Sequence, residues 1–106
     1  MTRALLILAL VMGGCAGPSI ALPPPQYDHE PARPFQDIRM PYWTINNACR
    51  TFGDMPRGRV EACVIPGRVP LRIVPNDVDP ATLAALIRHE NGHLAGWPKD
   101  HPGGRY

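Results

Sequence analysis

Two rhythms of apolar positions run through the second half of the chain. From Arg59 to Ile65, RVEACVI, the apolar Val60, Ala62 and Val64 alternate with Arg59, Glu61 and Cys63. From Val69 to Val74, VPLRIV, Val69, Leu71 and Ile73 alternate with Pro70, Arg72 and Val74. A period of two predicts strands. The PGR turn between them makes the pair a hairpin, with Pro70 confining its side of the second strand to an edge or a strand end. From Ala81 to about Ala95 the period lengthens, and Leu83, Leu86, Ile87, Glu90 and Leu94 recur at three- and four-residue spacings, as on one helix face. Asp79 is the expected N-cap, and Pro80 occupies the first helical position, where a missing N–H costs nothing. Gly96 and Pro98 end the helix. WPKDHPGGRY is then a non-helical return segment, plugged onto the domain by Trp97. WTINNACRT, before the turn cluster GDMPRG, is compatible with a helical turn or with an irregular segment docked through Cys49.

Neither rhythm extends into the first third. MTRALLILALVMGGC carries Arg3, an unbroken apolar run from Ala4 to Met12, and then Gly13, Gly14 and Cys15. Residues 1–14 read as a secretory signal peptide, too short for a stable membrane span. The small pair before Cys15 resembles the lipobox of bacterial lipoproteins, with Met12 where that family usually has Leu. The resemblance implies that Cys15 is lipidated and becomes the mature N-terminus. The protein would then hang by lipid from a membrane of the bacterial cell envelope, facing the periplasm or the exterior. Residues 15–36, dense in proline and without periodicity, are expected to be the lipidated cysteine and a semi-rigid tether holding residues 37–106 off the membrane.

A domain of that size is near the limit at which a hydrophobic core alone gives stability, so it needs a staple. The chain has three cysteines. With Cys15 assigned to lipid, Cys49 and Cys63 remain, and an oxidising envelope compartment favours their pairing. A loop of about 14 residues closed this way is worth roughly 3 kcal/mol in the chain-entropy model. The expected fold is a small disulfide-stapled α+β domain with a β-hairpin packed on one helix. Charge is nearly neutral: eleven basic against nine acidic residues give +2. With no basic stripe or aromatic platform, nucleic acid is not an expected partner.

The candidate chemistry lies in RHENGHLAGWPKDH, residues 88–101, which holds three of the four histidines. His89 and His93 are four apart on the predicted helix, about 40 degrees around its axis and about 6 Å along it, so both imidazoles can grip one cation. Glu90 points about 100 degrees from His89 and about 60 from His93, beside such a cation without being a ligand.

His89-Glu90-Asn91-Gly92-His93 resembles the HExxH motif of the zincin metallopeptidases. The resemblance implies that His89 and His93 hold Zn²⁺ and that Glu90 is the general base activating the bound water. Catalytic zinc sites keep one position open, so a third protein ligand is expected. LAG after His93 is similar to the glycine turn of the metzincins, whose third histidine would fall at Lys99; His101 lies two residues later, and Asp100 is the alternative ligand. His29, in the tether, is expected to be solvated. An oxyanion donor would come from Tyr106, Tyr42 or Arg105, and the free edge of the hairpin would bind an extended peptide.

With these features the two resemblances imply a lipid-anchored zinc protein of the cell envelope, expected to be a small metallopeptidase acting on peptide or cell-wall material. The alternative is a non-enzymatic accessory lipoprotein of an envelope assembly, with a structural metal or none.

Overall fold

The computed structural model describes residues 20–106, so Cys15 and the expected signal peptide, residues 1–14, lie outside the described residues. After a 3₁₀ turn at Pro25–Tyr27, the elements are β1 (Gln36–Met40), α1 (Tyr42–Phe52), β2 (Cys63–Ile65), β3 (Leu71–Pro75) and α2 (Pro80–Leu94). The fold is a small α+β domain with one mixed sheet in the order β1-β3-β2. Among the described residues no helix is long and apolar enough to cross a membrane.

The expected hairpin is present, with β2 antiparallel to β3, but β3 is not an edge. β1 pairs parallel with it, Ile38 opposite Ile73, which leaves the hairpin's free edge on the three-residue β2. Pro70 stands just before β3, at a strand end, where its carbonyl accepts from the Gln36 N–H at 2.9 Å. The alternation read from Arg59 survives only over Cys63–Ile65, because a bend at Glu61–Ala62 brings Val60 and Cys63 into the same core.

Side chains alternate across a strand, so β3 serves two layers. Ile73 faces α1 and joins Ile45, Cys49, Val60 and Cys63 in the main core. Arg72 faces the other way and reaches Asn91 on α2. Both faces of β3 are therefore covered, and Arg72 is buried despite its charge. α1 converts WTINNACRT, ambiguous in the sequence, into a helix whose buried residues are Ile45 and Cys49. Cys49 is bonded to Cys63 across the interface between α1 and β2.

α2 begins as its sequence predicts: the Asp79 side chain accepts from the Thr82 N–H at 3.0 Å, and Pro80 follows. It ends in a Schellman turn. Trp97 N–H donates to Gly92 O and Gly96 N–H to His93 O, with Gly96 at φ 108°, a conformation that suits glycine.

The tether expectation is corrected over residues 21–28. Ala21, Pro23 and Pro24 are buried, and Leu22 pairs antiparallel with Arg105 through hydrogen bonds of 2.7 and 2.9 Å. The Arg105 guanidinium also donates to the Pro23 carbonyl. Asp28 binds Arg88 on α2 and Arg105 in the return segment, each at 2.8 Å. Proline density removes periodicity without preventing docking, because extended proline-rich chain packs well against apolar surface.

Two stability predictions follow from this layout. Replacing both Cys49 and Cys63 by serine should cost about 3 kcal/mol in urea denaturation; an unchanged midpoint would mean that the bond contributes nothing. The hydrogen bond from Arg88, with that from Arg105, holds the Asp28 carboxyl down at about 2, against an ordinary 3.8. A depressed carboxylate stabilises the fold above its unfolded pKa and loses that contribution as pH falls through the folded value. Asp28→Asn should therefore lower the melting temperature by a few degrees at neutral pH. The difference from the parent should shrink between about pH 4 and about pH 2.

Candidate metal centre

α2 and the return segment build the centre. His89 and His93 stand one helical turn apart on α2, and the Schellman turn reverses the chain so that His101 arrives from the opposite side. The three Nε2 atoms lie 3.2 Å (His89–His93), 3.1 Å (His93–His101) and 3.1 Å (His89–His101) apart. Three vertices of a tetrahedron with metal–nitrogen bonds of about 2.0–2.1 Å would be roughly 3.3–3.4 Å apart. The observed triangle is within a few tenths of an ångström of that requirement.

The outward nitrogens settle which atoms face inward. His89 Nδ1–H donates to the Ala21 carbonyl at 2.5 Å and His93 Nδ1–H to the Trp97 carbonyl at 2.8 Å. A carbonyl only accepts, so both protons sit on Nδ1 and both Nε2 atoms present lone pairs. Lone pairs converging at 3.2 Å repel each other unless a cation lies between them. Burial also pushes the pKa of all three imidazoles down, that of His89 to about 4, which keeps them neutral, the form able to ligate, at neutral pH. Among the described residues these three histidines form a group able to hold a metal ion.

His101 reaches the group through an unusual backbone. Its φ is 61°, the one positive value at a non-glycine among the described residues. Such a conformation costs on the order of 1–2 kcal/mol at an L-residue and persists only where its surroundings impose it. His101 N–H donates to Pro98 O at 3.0 Å, and Gly104 N–H to His101 O at 3.1 Å. Trp97 Nε1–H closes the same loop on Pro102 O at 2.9 Å. This wider turn absorbs the two residues by which His101 exceeds the metzincin spacing.

Trp97, only 2 % exposed, is the floor of the centre. Its ring centroid lies 5.2, 5.0 and 4.9 Å from those of His89, His93 and His101, and it stacks on His93 at 19°.

Glu90 projects into the interior, 4 % exposed, with Oε2 3.9 Å from His89 Nε2. Burial pushes its pKa up to about 8, opposed in part by the positive charge of Arg72. Arg72 is itself committed elsewhere: it donates to Asn91 Oδ1 at 2.6 Å, pairs with Asp37 at 3.2 Å, and lies over the Phe35 ring. Asn91, inside the motif, thus anchors α2 to β3.

The other sequence candidates fall outside the group. Asp100 is exposed and contributes no ligand atom to it; its negative charge acts only to raise the pKa of His101 against the effect of burial. His29 is exposed, its Nδ1 beside Glu30 O. Tyr42 donates to Glu61 at 3.0 Å, Arg105 is occupied by Pro23 and Asp28, and Tyr106 is exposed. Trp97 plugs the return segment onto the domain, as its sequence position predicts, but its place beneath the three imidazoles and the roles of Ala21 and the Arg72–Asn91 pair were not found by sequence reasoning. Only Trp97 carried a signal, as a large apolar residue immediately after the helix-ending glycine.

The parent chain should bind about one divalent cation, and His101→Ala should weaken binding by more than the 10–100-fold typical of losing an outer-shell partner. In a Trp43→Phe background, which leaves Trp97 as the one tryptophan, Co²⁺ should quench fluorescence; in His89→Ala/His93→Ala it should not. Equal quenching in both would place the cation elsewhere. No protein-family model, curated protein or solved structure matches this chain.

Proposed function

We propose that this chain is a zinc metallopeptidase of zincin type, anchored by lipid on Cys15 in the bacterial cell envelope and acting on peptide or on the peptide part of cell-wall material. The observation that carries the reading is the convergence of three histidine Nε2 atoms with a buried carboxylate oxygen 3.9 Å from one of them. Three neutral imidazoles suit Zn²⁺, and three protein ligands with no fourth among the described residues fit the catalytic rather than the structural class of zinc site. Zn²⁺, when bound, supplies Lewis acidity to a substrate carbonyl and to water.

The chain's own residues carry the protons. Glu90, as the carboxylate, accepts one from the water that attacks the scissile carbonyl carbon. It then delivers that proton to the amide nitrogen as the C–N bond breaks, giving a carboxylic acid and an amine. A buried carboxyl with a raised proton affinity suits this double duty, because it can hold the proton between the two transfers. His89 and His93 stay oriented throughout, their Nδ1 protons tied to main-chain carbonyls. Peptide substrates can approach as an added strand on the outer edge of β2 or β1.

Glu90→Gln separates this reading from that of an accessory lipoprotein with a structural metal. Zinc content should stay at the parent level, while hydrolysis of an unstructured peptide mixture should fall by about 10²–10⁴-fold. A parent chain that holds zinc yet cleaves neither peptides nor cell-wall fragments would favour the accessory role.

A further inference from the structure

The segment 21–24 lies against the outer side of the metal centre, and Ala21 and Pro23 meet residues of its shell. The Ala21 carbonyl receives the Nδ1 proton of His89 at 2.5 Å. Leu22 pairs with Arg105, just beyond the His101 loop. Pro23 packs on Gly92, the residue before His93. A Cβ at Gly92 would stand 2.8 Å from Pro23 Cβ and Cγ and 3.0 Å from Trp97 Cε3. Glycine inside a helix costs about 1 kcal/mol relative to alanine, so its presence here is explained by the close approach of Pro23 and Trp97.

We propose that residues 21–24 form a positioning strap for the metal centre, in which the main-chain carbonyl of Ala21 fixes the His89 ring so that its Nε2 faces those of His93 and His101. An imidazole attached to a helix can rotate about its two side-chain torsions, and a neutral one can also change tautomer. A single acceptor on Nδ1 removes both freedoms. His93 receives the same service from Trp97, only four residues on, just past the helix end. The acceptor for His89 comes from 68 residues away in sequence. The strap is therefore the part of the shell that can be removed without altering α2. Arg105 secures it from outside the centre through Pro23 O, at 2.6 Å, and Asp28, at 2.8 Å. The inference rests on the histidines binding a metal, as proposed above, and does not depend on the reaction.

The test uses the full-length chain titrated with Co²⁺ and Zn²⁺. Arg105→Ala releases the strap from a distance, and Gly92→Ala pushes Pro23 away. Both should lower Co²⁺ affinity by about 10–100-fold, alter the cobalt d–d spectrum, and abolish the protected His89 Nδ1 proton signal of the zinc-loaded chain in NMR. Cys49→Ser/Cys63→Ser is the control: it weakens the fold, so a merely structural effect would appear there too, whereas the proposal expects a parent-like cobalt spectrum. Parent affinity and spectrum in Arg105→Ala would overturn the strap's role, even if Gly92→Ala loses metal, since that loss would then come from Trp97. A parent chain that binds neither ion would overturn the metal reading itself, and the strap's role with it.

Discussion

The packing of one indole beneath three imidazoles holds this structure's centre together. Trp97 touches the rings of His89, His93 and His101, its carbonyl orients His93, and its N–H fixes the loop that carries His101. Those contacts need the chain to reverse within a few residues of the helix end. That reversal needs Gly96 in its left-handed conformation, and the closeness of Trp97 to α2 needs Gly92 without a side chain. The sheet and α1 supply the stiffness behind this arrangement, and the Cys49–Cys63 bond joins α1 to β2.

The second constraint is electrostatic. Arg72 and Glu90 are both buried, and burial of either charge alone would be expensive. Arg72 is satisfied by Asp37, Asn91 and the face of Phe35, so little of its charge is left to ionise Glu90, whose proton affinity stays high. A cation among the histidines would change that balance directly, favouring the carboxylate form that a general base requires. The three histidines and Glu90 are thus coupled through charge as well as, for His89 and His93, through neighbouring positions on α2.

Much of the centre was legible in the sequence because it depends on local rules. The four-residue spacing of His89 and His93 needs only helical geometry, and Asp79, Pro80 and Gly96 mark the helix ends by chemistry specific to those positions. His101 could be nominated but not placed, since its reach depends on a left-handed backbone that no residue-type preference announces. β1 was missed because QDIRM offers only Ile38 and Met40 as apolar markers, and its parallel pairing with β3 spans 35 residues of sequence. The buried Arg72 appeared as the polar side of a half-buried strand, whereas α1 and α2 cover both faces of β3 and β1 pairs with its edge. The docked segment at 21–24 was hidden for a related reason: its contacts are made by main-chain carbonyls and proline rings, which leave no hydrophobic period.

The placement of that segment also fixes where the chain departs. Ala21 hydrogen-bonds to His89, so the chain enters the domain at the rim of the candidate metal centre rather than at its far end. Ala21 is six positions after Cys15, and six residues even fully extended span only about 20 Å. A lipid on Cys15 would therefore act as a short leash. It would keep the centre within roughly one bilayer-core thickness of the lipid surface, where only molecules that come equally close to the membrane could meet it.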